Sequence, residues 1–324
     1  MIGLSCRARV CLPGALLFMA AAVAAAAYPD HPIRLVVPVA AGGGNDIVAR
    51  LLAQKLADAW GQPIVVDNRP GAATAIGAEI VAKAVADGYT ILLTSVSFAI
   101  NAGVRQKLPF DAIRDFATVT QVARVPQIMV VNPALTAATL AEFIALAKAK
   151  PGQLNYASAG TGSSTHLAME LFMDMTGTRL NHVPYKGTAP GLTDVIAGHV
   201  QVTFDAIPPV LPHLRSSRVR ALAIGAAKRF PTLAEVPTFA EAGLPGYTFA
   251  SWFGIFAPAR TPEDIVRRLN RELVRIIVQP STSKTFVELG IEPLGTSPEE
   301  FGRFLRAEIA RWSAVVRAHD IRGD

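Results

Sequence analysis

Short apolar runs alternate along this chain with longer stretches whose apolar residues recur every three or four positions, the signature of strands alternating with amphipathic helices. Ile33–Val39 reads as a strand, and Asp46–Trp60 as a helix with Val48, Leu51, Leu52 and Leu56 on one face. Pro63–Asp67 is a second strand, Ile76–Ala86 a helix stopped by Asp87-Gly88, and Tyr89–Thr94 a third strand. Gln127–Asn132 is a strand closed by Pro133 and followed by the helix Thr139–Lys150. After Pro151-Gly152 the pattern restarts, with strand Leu154–Ala157, helix Ser164–Thr176, strand Arg179–Val183, helix Pro190–Ala197, and strands Val200–Phe204 and Ala221–Ile224. The closing part holds a strand at Ser251–Ala257, a helix Pro262–Val278 with proline at its first turn, and a last helix from Pro298 to about His319.

Such βαβ alternation predicts an α/β fold of mostly parallel sheets flanked by helices. The restart is an echo at the level of fold, since the two halves do not align residue by residue. The length suits two domains, and no Gly/Ser linker separates them. The chain is therefore expected to cross between halves on extended segments, near Val125–Asn132 and near Gly225–Pro231. That divides it into residues 28–124 with 231–324, and 125–230.

The first 27 residues change the picture. Arg7 and Arg9 precede the apolar run Leu12–Ala26, and Ala25 and Ala27 fit a cleavage site before Tyr28, the pattern of a secretory signal peptide. An uncleaved anchor is the alternative, but the run falls short of the roughly 18 apolar residues a comfortable span needs. Lipidation at Cys11 fits poorly, because the apolar run follows the cysteine instead of preceding it. Cleavage predicts export to the periplasm. Both cysteines, Cys6 and Cys11, lie in this segment. The mature chain would then have neither disulfides nor thiolate chemistry, and about 297 residues can support a core without them. Without Arg7 and Arg9, 29 basic residues face 25 acidic ones, a net charge of +4 instead of +6. The basic residues form no block, which gives nucleic-acid binding no support.

Candidate chemistry sits in two turns, each lying between a strand and a helix: Pro38-Val-Ala-Ala-Gly-Gly-Gly-Asn-Asp46 and Ser158-Ala-Gly-Thr-Gly-Ser-Ser-Thr-His166. Glycines there let backbone N–H groups converge before a helix N-terminus and accept an anion without a basic side chain. The plain alternative is a turn that needs permissive φ/ψ angles. Gly42, Gly43 and Gly44 match neither the P-loop nor the dinucleotide fingerprint. Asn45 and Asp46 open the helix either as a cap with a favourable charge or as contacts to a ligand ammonium or hydroxyl. Ser158, Thr161, Ser163, Ser164 and Thr165 offer hydroxyls beside the amides of Gly160 and Gly162, or else a Ser/Thr-rich cap. Gly160-Thr-Gly-Ser-Ser164 is not a nucleophile elbow, and His166 is poorly placed to serve Ser163 as a base. His166, His182, His199 and His213 lack zinc-ligand spacing, so no metal and no cofactor is expected. Lys186, in the turn Pro184-Tyr-Lys-Gly187, points either to a cleft or to solvent.

These motifs, with Arg50, Asn68-Arg-Pro-Gly71, Ile76-Gly-Ala-Glu79, Asp87-Gly-Tyr-Thr90, Gly198–Asp205, Val236-Pro-Thr238, Glu241-Ala-Gly-Leu-Pro-Gly-Tyr247, Trp252 and Ala257-Pro258, resemble the Bug family, extracytoplasmic solute receptors of tripartite tricarboxylate transporters. The likeness runs in order through the mature chain. It departs at Ala40-Ala41, where paired prolines or Pro-Ala are common, and at Ser95-Val-Ser-Phe98, where a more polar segment is usual and which makes that wall more apolar. The resemblance implies a two-lobed periplasmic binding-protein fold of the second type, with a small carboxylate held between the lobes. It implies as partner a membrane permease with large and small subunits; a sensor protein engaged by the loaded receptor is a separate reading, and the chain is expected to be a monomer that catalyses no reaction. It places Asp205 as a cleft-lining acid, although a hinge hydrogen bond would also suit that residue. Trp252 and Phe253 either close the pocket or are plain core. The ligand-binding set expected from the turns and the resemblance is Ala41, Gly42, Gly43, Asn45, Asp46, Ser97, Ser158, Gly160, Thr161, Gly162, Ser163, Ser164, Lys186 and Asp205. A periplasmic serine hydrolase is the reading from another class.

Overall fold

A computed structural model of the chain describes residues 1–3, 28–104, 108–247 and 249–318. The expected signal peptide, apart from its first three residues, and the end of the last helix at His319 lie outside them. The elements run β1 (Ile33–Val37), α1 (Gly44–Trp60), β2 (Ile64–Asn68), α2 (Ala75–Ala82), β3 (Thr90–Ser95), α3 (Val96–Val104) and β4 (Phe116–Val131). There follow α4 (Leu140–Ala149), β5 (Asn155–Ser158), α5 (Ser164–Thr176), β6 (Asn181–Pro184), α6 (Thr188–Ala197), β7 (Val202–Ala206), α7 (Ile207–Arg215) and β8 (Arg220–Ile224). The chain closes with β9 (Ala250–Pro258), α8 (Glu263–Val278), α9 (Pro280–Glu288), β10 (Glu292–Pro293) and α10 (Pro298–Ala318).

The strands are ordered β2-β1-β3-β9-β4-β7-β5-β6, with β8 and β10 also pairing β4. β1 is parallel to β2 and β3, and β5 is parallel to β6 and β7. β9 runs antiparallel to both β3 and β4, and β4 antiparallel to β7, β8 and β10. The expectation of mostly parallel sheets is corrected accordingly: the sheets are mixed, because β4 and β9 run against the strands of the βαβ units.

The expected strand Gln127–Asn132 is the last third of the 16-residue β4. Its first part, through Pro126, pairs with β9, and Gln127–Val131 pairs with β7, so one strand serves both groups. Pro126, opposite Ala250, is the last residue of β4 to pair with β9 before the partner changes at Gln127.

The core follows the pattern. On α8 the buried residues Val266, Leu269, Leu273, Ile276 and Ile277 form one stripe, packing with β1, α1 and β9 residues such as Leu35, Leu52 and Ile255. Between β8 and β9, Phe239 and Tyr247 stack on Phe204 of β7, with centroids 5.8 Å away in each case, and Tyr247 Oη donates to the Ala168 carbonyl at 2.9 Å. At the start of the described fold, Tyr28 is buried edge-on against Trp60 and Tyr89, its hydroxyl donating to the Gly88 carbonyl at 2.8 Å. No helix among the described residues is long and apolar enough to cross a membrane.

Candidate functional site

Five helices begin around one small cavity of about 40 Å³. Gly43, Gly44 and Asn45 bring the start of α1, Ser95 and Ser97 that of α3, Ser164 and Thr165 that of α5, Thr188 that of α6, and Asp205 and Ala206 that of α7. Each strand delivers its helix to this point because the preceding turn is tight. Each N-terminus carries roughly half a positive charge from its unpaired N–H groups. At α1 these groups stay open, since Gly43 has no side chain to cap them. No lysine or arginine lines the cavity. Two larger hollows, about 580 Å³ around Glu170 and Arg179 and about 620 Å³ around Val85 and Arg260, lie away from these helix ends. The small cavity is where the chemistry converges.

Of the expected set, Gly43, Asn45, Ser97, Ser164 and Asp205 line the cavity. The others do not, and the reason is local. Asp46 Oδ2 accepts the Gly42 N–H at 2.9 Å and Arg50 Nε at 3.0 Å, and its Oδ1 accepts Asn68 Nδ2 at 3.0 Å. Burial pulls the Asp46 carboxyl up, but the bonds from Arg50, Gly42 and Asn68 together outweigh it and hold it below the usual range. Asp46 thus braces the turn through Gly42, Arg50 and Asn68 and does not cap the open N–H groups of α1. Ala41 and Gly42 are exposed outside it.

In the second turn the glycine amides are already engaged. The Gly160 N–H donates to Ser158 Oγ at 3.1 Å, and the Gly162 N–H donates to His166 Nδ1 at 3.2 Å. Ser163 Oγ caps α5 by accepting the His166 N–H at 3.3 Å. Thr161 is half-buried beside them and Lys186 is exposed. Behind this turn Tyr156, His182 and His166 stack with centroids 4.8 and 4.3 Å apart. Tyr156 Oη donates to Glu170 at 2.7 Å, and Ser158 Oγ lies 2.5 Å from His182 Nε2. That Ser–His contact is off the cavity, and Ser158 is 1% exposed.

Sequence reasoning put Ser95 in a pocket wall and Thr165 among the turn hydroxyls without counting either as a ligand contact, and it missed Gln127, Thr188 and Ser251. Gln127 arrives through the pairing of β4 with Ala206, and Thr188 because Gly187 turns the chain into α6. Trp252 is core: it is 2% exposed, packs on Phe301 and Phe304, and donates to Glu308 Oε2 at 3.0 Å. Phe253 faces the cavity.

The electrostatics of the wall are unusual in one respect. Asp205 is 1% exposed; its Oδ1 accepts the Ala206 N–H at 2.7 Å, while Oδ2 has no hydrogen-bond partner. Burial pushes this carboxyl up to about 7, with the Ala206 N–H and the Thr188 hydroxyl offsetting only part of the shift. Asn45 Nδ2 and Gln127 Oε1 are also buried without partners. Open helix ends and the unpaired Asn45 Nδ2 donor suit a small anionic guest, whereas Asp205 Oδ2 and Gln127 Oε1 are acceptors that face it unfavourably unless a proton lies between.

The profile of the "Tripartite tricarboxylate transporter family receptor" family matches residues 48–321. Protein BugT of Bordetella pertussis (strain Tohama I) is 39% identical over 301 residues, covering 92% of each chain. The UPF0065 protein in the tcbD-tcbE intergenic region of Pseudomonas sp. (strain P51) is 38% identical, over 90% of this chain and 87% of its own length. Among solved structures, R. palustris Rpa4515 with adipate superposes with a TM-score of 0.89 at 40% identity, covering 91% of this chain and 99% of that one. MatC (Rpa3494) from Rhodopseudomonas palustris with bound malate gives 0.85 at 32%, covering 89% and 100%. The alkanesulfonate-binding protein SsuA, at 13% identity and 0.55 over 90% and 94%, shares the fold alone. The fold is that of two-lobed periplasmic binding proteins.

Proposed function

Because the chain belongs to the tripartite tricarboxylate transporter receptor family, we propose that it captures a small carboxylate between two lobes and presents it to a membrane partner. The observation that carries this reading is the meeting of five helix N-termini at one buried cavity walled without a basic side chain. Neutral donors in a dry site bind an anion firmly, yet leave no fixed charge to trap it. Adipate and malate, held by two relatives, are both dicarboxylates, which supports the same class here.

The guest's carboxylate rests on the α1 amides of Gly44 and Asn45, the Ser97 and Ser164 hydroxyls, and the Asn45 amide. Gly43, Thr188 and Asp205 complete the wall. The expected roles of Ala41, Gly42, Asp46, Ser158, Gly160, Thr161, Gly162, Ser163 and Lys186 become supporting ones, bracing the turns that carry the contacts. The lobes meet along β4, with one crossing near Val125. The packing of Phe239 and Tyr247 on Phe204 supports a return crossing at Phe249–Ala250, later than residues 225–231. Closure around the guest is a hinge motion, and the closed shape is what a two-subunit permease, or a sensor protein, recognises. The receptor acts as a periplasmic monomer released from its leader before Tyr28, and it performs no reaction on its ligand.

Calorimetric titration of the mature protein with adipate, malate, citrate, glutamate and nicotinate tests the reading. A 1:1 complex with at least one of them is expected. No heat from any, and no small acid co-purifying in native mass spectrometry, would overturn it.

A further inference from the structure

A cavity built for an anion has an anion-forming side chain in its own wall. Asp205 is buried beside the opening of α7; the Thr188 hydroxyl nearby weakly favours its charged form, but no hydrogen bond within the protein reaches Oδ2. A ligand carboxylate group brings only acceptors, so where that group faces Asp205 it cannot satisfy the ionised side chain and would be repelled by it across a space of about 40 Å³.

We propose that Asp205 meets the guest as the neutral acid, its Oδ2–H donating to a ligand carboxylate oxygen, so that the receptor takes up a proton together with its ligand. This rests on the carboxylate-receptor reading and narrows it. The guest is a carboxylate whose inner end carries no ammonium group, because an ammonium would instead pair with ionised Asp205.

Among the described residues, no other acidic or basic side chain lines the cavity. On α1, Asp46 and Arg50 are paired to each other. On β4, Arg124 is paired to Glu292. On α5, His166 accepts the Gly162 N–H and lies 3.5 Å from Glu170. Lys186 before α6 is exposed, and Asp194 on α6 bonds Tyr185 and lies 3.5 Å from His199. His213 and Arg215 are in the last turn of α7, at the far end from Asp205. None of these groups lines the cavity. Burial already moves Asp205 to the border of neutrality, and a second negative charge in the same hollow raises its proton affinity further.

Titration calorimetry with adipate at pH 6 and pH 8, in buffers of different ionisation enthalpy, reads the proton directly. About one proton should enter per ligand at pH 8 and almost none at pH 6, with affinity about tenfold weaker at pH 8. Asp205→Asn offers a donor at every pH, so it should bind adipate several-fold tighter than wild type at pH 8, with no proton uptake and a flat profile. Glutamate should bind more weakly than adipate at pH 6. Wild-type binding at pH 8 without proton uptake would overturn the proposal, as would proton uptake persisting in a folded Asp205→Asn protein. If no carboxylate binds the wild type at either pH, the receptor reading falls with it; if adipate binds and only the proton is missing, this inference falls alone.

Discussion

The backbone N–H of Ser164, the first of helix α5, donates to Ser97 Oγ at 3.0 Å, and the two serine hydroxyls lie 3.2 Å apart across 67 residues of chain. The first turns of α3 and α5 are thereby tied together at the wall of the cavity. Ser97 adds a second acceptor to the start of α5, beside the Ser163 cap, and leaves its own hydrogen to direct at Ser164 or at a guest.

Removing that tie should loosen the site without unfolding the protein. Ser97→Ala leaves one buried N–H unpaired, a cost of about 1 kcal/mol. Dicarboxylate affinity should fall by roughly three- to tenfold in calorimetry. The circular-dichroism spectrum should not change.

Gly43 and Gly162 separate shape from strain. Gly43 has φ −76° and ψ 167°, open to any residue, and a Cβ there would stand 3.4 Å from Thr188 Oγ1. Gly43→Val should therefore fill the cavity and abolish binding, while the melting temperature shifts by only a few degrees. Gly162 has φ +78°, which a β-branched residue resists. Gly162→Val should lower the melting temperature as well as binding. Equal effects of both on stability would contradict this assignment.

Asp205 also gives stability a pH dependence. Its carboxyl is near 7 in the folded chain and about 3.9 when unfolded. The folded form thus favours the protonated acid, whose full stabilisation holds below about pH 4 and is lost as pH rises to about 7. Asp205→Asn should match the wild type in denaturant melts at pH 4 and exceed it at pH 8, by up to about 4 kcal/mol. Parallel curves at both pH values would show that Asp205 is ionised without penalty.

Away from the cavity, Glu308 Oε2 accepts the indole N–H groups of both Trp252 and Trp312, each at 3.0 Å, and the residue is 7% exposed. Glu308→Ala strands two buried donors, and should cost about 2–4 kcal/mol in denaturant unfolding. A shift in tryptophan fluorescence should accompany it.

The helices with an apolar stripe and a clear stop were legible in the sequence, α1, α5 and α8 among them. The strand β4 was not, because Thr118, Thr120, Gln121, Arg124 and Pro126 break its apolar run; pairing on both edges, to β9 and β10 and then to β7 and β8, overrides that local signal. Helix α7 was hidden by Pro208, Pro209 and Pro212, two of which sit harmlessly in its first turn. Helix α3 was hidden because Val96-Ser-Phe-Ala-Ile100 reads as more strand. At the site, the first turn was legible as an open helix end. The second was misread in its donors: the Gly162–His166 bond spans only four residues, and that spacing could have flagged the amide as taken. Gln127, Thr188 and Ser251 could not be found locally, since only the sheet order and the turn at Gly187 carry them to the cavity.

β4 has a consequence for how the whole molecule comes apart. A ribbon that is the inner member of both strand groups cannot be surrendered by one of them alone. Losing its first part exposes the edges of β9, losing its last part exposes β7 and β8, and no cut in the chain leaves both groups complete. The molecule should therefore melt in a single transition despite its two halves, and fragments divided near Val125 should stay unfolded until they are mixed.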